Sequence, residues 1–230
     1  MSNFQGIAPD GMFLLAENRF HDSKSYYEEH KPQIKAQVLD PLRSLAEDLA
    51  GTMIAIDPRI VTDPNRNGCV SRVRRDKSLY RENMWVGFMR DKKAYECAPG
   101  FFVDISLKGS TYGMGFYYTT PRLMQTVRRM IDENPAAWTK ALKRAQAAGF
   151  VLAGDRYARP KKEGLPPLLD AVYNRKTITM ERFEPDPAFF GTAALVDVLK
   201  EAFAALVPLY RLLIAAVERD IEQAGDAATA

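Results

Sequence analysis

The sequence is poor in the residues that most often bind metals or form disulfides. Its 230 residues include two cysteines, Cys69 and Cys97, and two histidines, His21 and His30. Two cysteines are too few for a disulfide framework, and a zinc site would need all four side chains at a spacing that matches no usual ligand pattern. The sequence therefore predicts no metal site. We interpret both thiols as structural, although arginines close to Cys69 would lower the pKa of its thiol.

Long apolar runs are also lacking. No run approaches the roughly 18 apolar residues of a membrane-spanning helix, and the segment from Met1 to Gly6 lacks the basic-then-apolar order of a signal peptide. The chain has no Walker, Rossmann or zincin pattern and no glycine-flanked serine elbow. We therefore expect a cytoplasmic protein with no membrane partner and no bound cofactor, and these patterns identify no reaction.

The positive charge of the chain is concentrated in one region. From Arg59 to Lys93 there are ten Lys or Arg and four Asp or Glu, a net charge of +6, whereas the whole chain has a formal net charge of +3. Within this region, the segment from Arg66 to Arg81 contains six cations and one acid, Asp76. A local excess of one sign on an otherwise acidic chain indicates an anionic partner.

The residue types in this segment suit a phosphate or carboxylate ligand. Arginine offers planar paired donors, and lysine offers a compact positive charge. We therefore predict that Arg66, Arg72 and Lys77 bind an anion. Asp76 would orient an arginine, and Tyr80 would act as a hydrogen-bond donor or proton carrier.

Three further residues complete the candidate ligand-binding site. Arg72 and Arg74 are two residues apart, so they would share one face of an extended segment, with Arg75 on the opposite face; we include Arg75 in the site. Gly113 and Gly115 belong to an aromatic-rich run. Because these glycines have no side chain, they permit either curvature of the sheet or the close approach of a ligand to the strand.

The hydrophobic pattern predicts helices before, between and after a group of strands. Apolar residues recur every three or four positions in residues 24–50, where Pro32 and Pro41 predict a kink or two helices and Gly51 predicts the end. Further helices are expected at residues 10–18, 121–133, 135–148, 166–173 and 195–221, followed by a frayed tail at 225–230.

The strands are grouped in the middle of the chain. Three β-like runs occur at residues 84–89, 101–107 and 111–118, with a tight turn between the last two. A local hairpin is expected at residues 151–157, and one more strand at 177–183. Because the strands do not alternate with helices, the predicted fold class is α+β. We expect a single domain, residues 1–230, in which N-terminal, middle and C-terminal helices pack on an antiparallel sheet.

The basic segment resembles the central signature of the bacterial family called domain of unknown function 2461. The arginine, arginine, aspartate, lysine and tyrosine positions of that signature are matched here by Arg66, Arg72, Asp76, Lys77 and Tyr80. The flanks are similar as well, at residues 18–31, 101–128 and 149–190. The resemblance covers nearly the whole chain. It implies the same α+β class, a cytoplasmic location and this candidate surface, and it supplies no activity.

The chain departs from the signature at four positions. Cys69 and Val70 stand where the family has an Arg-Asp pair, Val73 where it has phenylalanine, and Leu79 where it often has proline. Loss of the arginine and the aspartate together preserves the charge balance, which indicates that the two are partners in relatives.

Three functions are compatible with these observations. The best supported is the binding of a phosphorylated small molecule or nucleotide by residues 66–81. In the second, the arginines form internal ion pairs and the protein acts through protein partners. In the third, cations interleaved with aromatic residues such as Tyr112 and Tyr117 bind nucleic acid.

Overall fold

A computed structural model of the protein describes residues 3–66, 68–74 and 80–229. The helices are α1 (Pro9–His21), α2 (Lys24–Ile34), α3 (Asp40–Ile56), α4 (Pro121–Glu133), α5 (Pro135–Ala147), α6 (Pro167–Tyr173) and α7 (Leu195–Thr229), with a π-helical turn at Lys35–Leu39 and a 3-10 turn at Pro187–Phe190. The strands are β1 (Asn83–Met89), β2 (Pro99–Ser106), β3 (Gly109–Phe116), β4 (Val151–Ala153) and β5 (Thr179–Glu184).

The five strands form one sheet in the order β1-β2-β3-β5-β4. A two-residue turn joins β2 to β3, and Gly109 after it has a φ of +123°, a conformation that favours glycine. β4 pairs antiparallel with β5, with Val151 opposite Glu181 and Ala153 opposite Thr179. The grouped strands and their flanking helices confirm the predicted α+β class and the antiparallel sheet.

The local hairpin predicted at residues 151–157 is wrong. β4 pairs with β5, which follows α6 in the chain. β4 has only three residues, and so short a strand does not indicate which strand it pairs with. The prediction assumed that β4 pairs with the residues that follow it directly in the sequence. Gly154 still turns the chain, with a φ of +104°.

The helical region between residues 24 and 56 is continuous but changes pitch. In the π-helical turn Lys35–Leu39, the N–H of Asp40 donates to the carbonyl of Lys35, five residues back. Pro41 follows at once and has no N–H to donate to the Gln37 carbonyl. The interruption predicted at Pro41 therefore takes the form of a π-helical turn, whereas Pro32 lies inside α2 and does not end it.

Gly51 does not end this helix, contrary to the prediction. α3 runs from Asp40 to Ile56, and a Cβ at Gly51 would have nothing within 4 Å. Leu45, Leu49 and Met53 form one buried stripe that continues past the glycine. Burial of this stripe outweighs the cost of about 1 kcal/mol for a glycine inside a helix.

Gly11 allows α1 to approach the π-helical turn closely. A Cβ at this position would lie 2.9 Å from the Gln37 carbonyl oxygen and 3.2 Å from a methyl group of Val38. This carbonyl is the one that Pro41 leaves without its usual donor. The contact therefore requires a residue without a side chain at position 11.

The described residues group into two compact units. The first unit comprises Met1–Met89, Phe102–Tyr112 and Phe183–Glu201. Its core contains buried apolar residues of the N-terminal segment and helices, namely Phe4, Met12, Leu15, Ile34, Val38, Leu42, Leu45, Leu49 and Met53. The spacing of three and four along each helix is that of one buried face.

The second unit comprises Arg90–Phe101, Gly113–Arg182 and Ala202–Ala230. The ring of Phe101 contacts the rings of Phe203 and Tyr210 in α7, with centroids 5.2 and 5.1 Å apart. Its other buried apolar residues include Leu123, Val127, Ile131, Trp138 and Leu142 of α4 and α5.

The last helix is longer than its sequence pattern predicts. The apolar stripe was expected to end at Ile221, whereas α7 continues to Thr229 and has 35 residues. Neither α7 nor any other helix in the described part of the chain combines the length and apolar content that crossing a membrane requires.

Gly11→Ala should destabilise the protein, whereas Gly51→Ala should not. A methyl group at position 11 meets the Gln37 carbonyl, and such overpacking typically costs about 1–3 kcal/mol. The same change at position 51 enters open space and gains about 1 kcal/mol of helix propensity. Urea denaturation of both variants measures the free energy of unfolding. Equal stability of the two variants would contradict the close approach of α1.

Candidate functional site

The backbone of the basic segment is anchored along β1. Val70 pairs antiparallel with Val86, and the N–H of Ser71 donates to the Trp85 carbonyl at 2.9 Å. The Oγ of Ser71 in turn accepts from the N–H of Trp85, also at 2.9 Å. The hydroxyl group of Ser71 is therefore used to fix the backbone of the segment.

Side chains of this segment alternate between buried and exposed positions. Cys69, Ser71 and Val73 are buried, whereas Arg72 and Arg74 are exposed. This alternation is that of an extended strand. It places the two arginines on one face, as their spacing predicted.

Tyr80, which follows residues 75–79 in the sequence, also contacts the basic segment. It lies opposite Arg74 in an antiparallel bridge, and its N–H donates to Oδ1 of Asp22 at 3.1 Å. Its side chain is 5% exposed and stacks on Tyr27, with ring centroids 5.0 Å apart and planes at 30°. Tyr80 therefore supports the position of Tyr27 in α2.

A pocket of about 670 Å³ opens beside this segment in the first unit. Its lining comes from the helical region, from the loop that precedes the segment and from the segment itself. The lining residues are Tyr27, Leu39, Arg43, Pro64, Asn65, Arg66, Val70, Ser71, Arg72, Val73 and Arg74. Four of these described residues are arginines and none is a carboxylate, so this wall of the pocket is strongly positive.

Of the described lining residues, only Arg66 and Arg72 were among the predicted site residues. Those that sequence reasoning missed include Leu39 and Arg43 of the helical region. Leu39 ends the π-helical turn, and Arg43 follows about one turn later in α3. Pro41 was the sequence signal in this stretch. It predicted a change in the helix but not the face that the helix would present.

Asp40 partly offsets the charge of Arg43. Its carboxylate accepts from Nζ of Lys35 at 2.6 Å and from Nη1 of Arg43 at 3.1 Å. These cations, Lys35 above all, lower the pKa of Asp40, so the carboxylate is ionised at neutral pH. All three side chains are substantially exposed, and solvent therefore weakens the pairing.

The phenol of Tyr27 is neutral at physiological pH. Burial raises its pKa; Lys31 opposes this shift, and Glu28 and Tyr80 reinforce it. The Lys31 Nζ lies 5.9 Å from the centroid of the Tyr27 ring. A neutral phenol donates a hydrogen bond, so Tyr27 suits an anionic acceptor.

The structure brings together part of the predicted ligand-binding site. Arg66 and Arg72 line the pocket, whereas Tyr80 contacts the pocket residue Tyr27. The predicted site residues outside the described part of the chain are Arg75, Asp76 and Lys77. Their roles stay predictions.

Gly113 and Gly115 belong to the second unit and face β5. A Cβ at Gly113 would lie 2.9 Å from Cα of Glu181, and one at Gly115 would lie 2.7 Å from Oγ1 of Thr179. This close approach of two strands by itself requires glycines in β3. Their predicted role in ligand binding stays a prediction.

Cys69 does not have the lowered pKa that nearby arginines would give it. Its side chain is 2% exposed, and burial, reinforced by Asp63, raises the pKa of the thiol to about 12. Arg72 and Arg74 lie on the opposite face of the segment. Burial also raises the pKa of Cys97. Both thiols are therefore neutral at physiological pH.

The two histidines flank one tyrosine. His21 and His30 stack on Tyr26, with ring centroids 4.1 and 4.0 Å away, and Nδ1 of His30 lies 2.9 Å from the Tyr26 carbonyl oxygen. Within the described ranges, no group of three or more His, Cys, Asp or Glu side chains is placed to hold a metal ion.

The fold is thus α+β, with an arginine-lined pocket beside a segment that is anchored to β1. The chain belongs to the family of conserved hypothetical proteins designated DUF2461, whose model matches residues 12–212. This match confirms the resemblance of the central signature and includes every residue that lines the pocket. No curated protein and no solved structure matches the chain significantly.

Both thiols should react slowly with iodoacetamide in the native protein. Folding raises their pKa values, so at about pH 8 the thiolate fraction is far below that of a free cysteine with a pKa of about 8.5. Mass spectrometry should find both residues alkylated in urea and largely unmodified in buffer. Rapid alkylation of native Cys69 would show that the arginines do activate this thiol.

Proposed function

We propose that the first unit binds a phosphorylated small molecule or a nucleotide in the pocket lined by Arg43, Arg66, Arg72 and Arg74. The observation that supports this is that the described residues lining one pocket include four arginines and no carboxylate. Arginine pairs with phosphate oxygens through parallel hydrogen bonds. These interactions are stronger in a partly enclosed space than at an open surface. We retain the cytoplasmic location expected from the sequence.

The size and composition of the pocket suit this class of ligand. Its volume of about 670 Å³ falls within the range of about 300–1,000 Å³ that is usual for small-molecule sites. Leu39, Val70 and Val73 add apolar surface to the arginines. A nucleotide combines the two properties that this lining offers, because its phosphates suit the arginines and its base suits the apolar residues.

The pocket arginines extend from a fixed backbone. Arg72 and Arg74 belong to the segment that is hydrogen-bonded to β1, and Arg43 belongs to α3. Arg66 follows a turn in which its N–H donates to the Asp63 carbonyl at 3.0 Å. A fixed backbone reduces the entropy that is lost when a ligand binds.

The two alternative hypotheses, internal ion pairs and nucleic-acid binding, predict different interactions for these arginines. Internal ion pairs occur in the chain, as between Arg90 and Glu218 at 2.8 Å and between the pocket residue Arg43 and Asp40 at 3.1 Å. The anion hypothesis rests on the four arginines that border one common space. A nucleic acid would add a series of phosphate contacts, and its affinity would fall steeply with salt.

The double variant Arg72→Ala/Arg74→Ala should lose ligand binding at the pocket and remain folded. Loss of two charge-assisted contacts should weaken binding by about 100-fold or more. Calorimetric titration at low salt with pyrophosphate, nucleotides, sugar phosphates and an oligonucleotide measures the dissociation constants and identifies the ligand class. The matched control is Arg144→Ala/Arg211→Ala, which removes the same charge at exposed positions outside the pocket.

Three outcomes would decide against this function. Equal binding by the wild type and the pocket variant would remove the pocket from consideration. A large fall in the unfolding free energy of the pocket variant without ligand, but not of the control, would favour internal ion pairs. Binding of the oligonucleotide alone, lost steeply as salt rises, would favour the nucleic-acid hypothesis.

A further inference from the structure

Three cations of the second unit surround one tyrosine ring. The Cζ of Arg128, the Nζ of Lys161 and the Nζ of Lys176 lie 5.2, 4.4 and 6.0 Å from the centroid of the Tyr157 ring. Each cation is attracted to the ring, but the three positive charges repel one another. None of the three forms an ion pair with a carboxylate in the described part of the chain.

Two acids of the neighbouring helices are engaged by other residues. Asp132 in α4 accepts from Nζ of Lys162 at 2.7 Å and from the Tyr173 hydroxyl at 2.9 Å, and Lys162 above all lowers its pKa. Asp170 in α6 pairs with Arg156 at 2.9 Å. These carboxylates therefore do not neutralise the three cations around Tyr157.

Arg128 is buried with its charge uncompensated. The side chain is 9% exposed, and its Nε donates to the Tyr173 carbonyl at 2.9 Å and its Nη2 to the Arg175 carbonyl at 3.1 Å. Both partners are neutral carbonyl groups. Nη1 has no partner among the residues that the structure describes, so its two N–H groups can donate to an external acceptor.

Backbone hydrogen bonds hold the two lysines near Tyr157. The side-chain oxygen of Asn174 accepts from the N–H of Lys161 at 2.6 Å, and its main-chain carbonyl accepts from the N–H of Tyr157 at 3.0 Å. The N–H of Lys176 donates to the Asp155 carbonyl at 2.7 Å. Asn174 is 1% exposed. The like charges are therefore kept together by the fold of the loop.

We propose that Arg128, Lys161 and Lys176 form a second phosphate-binding site, in the second unit, for a small soluble phosphate compound. A multiply charged oxyanion offsets three cations at once, whereas a single carboxylate would leave two of the charges uncompensated. The guanidinium supplies directed donors, and the two ammonium groups adapt to the ligand. This site is separate from the pocket of the first unit and does not depend on its function.

Lysine acetylation in the wild-type protein tests this site directly. Saturating inorganic pyrophosphate at low salt should slow the acetylation of Lys161 and Lys176 by about tenfold, because a bound anion favours the charged ammonium form, which does not react, and covers the amine. Lys140 and Lys143 are exposed on α5 and serve as internal controls. Their rates should be the same with and without pyrophosphate, as measured by peptide mass spectrometry.

Matched variants separate this site from the pocket. Lys161→Ala/Lys176→Ala should remove one pyrophosphate site in calorimetry, and Lys140→Ala/Lys143→Ala should remove none. The pocket double variant described above should retain full protection of the two site lysines. These measurements therefore show whether the pocket fails to bind pyrophosphate, whether the second site fails to bind it, or whether both do.

Several outcomes would overturn the second site. One is unchanged acetylation of Lys161 and Lys176 in pyrophosphate. Another is equal protection of Lys140 and Lys143, which would indicate general charge screening. A third is protection by phosphatidylglycerol vesicles but not by pyrophosphate, which would indicate a lipid headgroup as the ligand.

Discussion

A helix that reaches Pro41 loses a backbone hydrogen bond, because the proline nitrogen carries no proton. The π-helical turn Lys35–Leu39 precedes this position and changes the pitch of the helix there. The Gln37 carbonyl then lies against Gly11 of α1, and Arg43 reaches the pocket. The absence of an N–H group at Pro41 thus affects both the packing of α1 on the π-helical turn and the presence of Arg43 in the lining of the pocket.

Both proposed sites depend on hydrogen bonds that keep like charges close together. Arg72 and Arg74 belong to a segment bonded to β1, and Lys161 belongs to a loop bonded to Asn174. Without such bonds, mutual repulsion would separate these charges. The three cations around Tyr157 have no carboxylate partner among the described residues, so an anion bound at that proposed site would offset their repulsion and would thereby link its own affinity to the stability of the fold.

The fold class and some local features were predicted from the sequence, whereas specific contacts between distant segments were not. The shared face of Arg72 and Arg74 follows from strand geometry alone, so spacing was sufficient. The position of Arg43 depends on how a helix packs, and the partner of β4 depends on a strand distant in sequence. The pKa of Cys69 was misjudged because nearness to arginines in sequence does not tell which face a side chain occupies, and burial decided the shift.

The composition of the two units constrains the order of events during protein synthesis. The first unit includes Phe183–Glu201, where Phe189 stacks on Tyr112 and the Phe190 carbonyl accepts from the N–H of Ile7. The second unit includes β5, the partner of β4, and most of α7. The first unit is therefore not complete until Phe183–Glu201 has been synthesised, and the second not until the residues of α7 have followed. The N-terminal helices contact one another, but the surface that contacts Phe183–Glu201 stays uncovered until that segment is synthesised, and uncovered apolar surface on a nascent chain is exposed to aggregation and to chaperones.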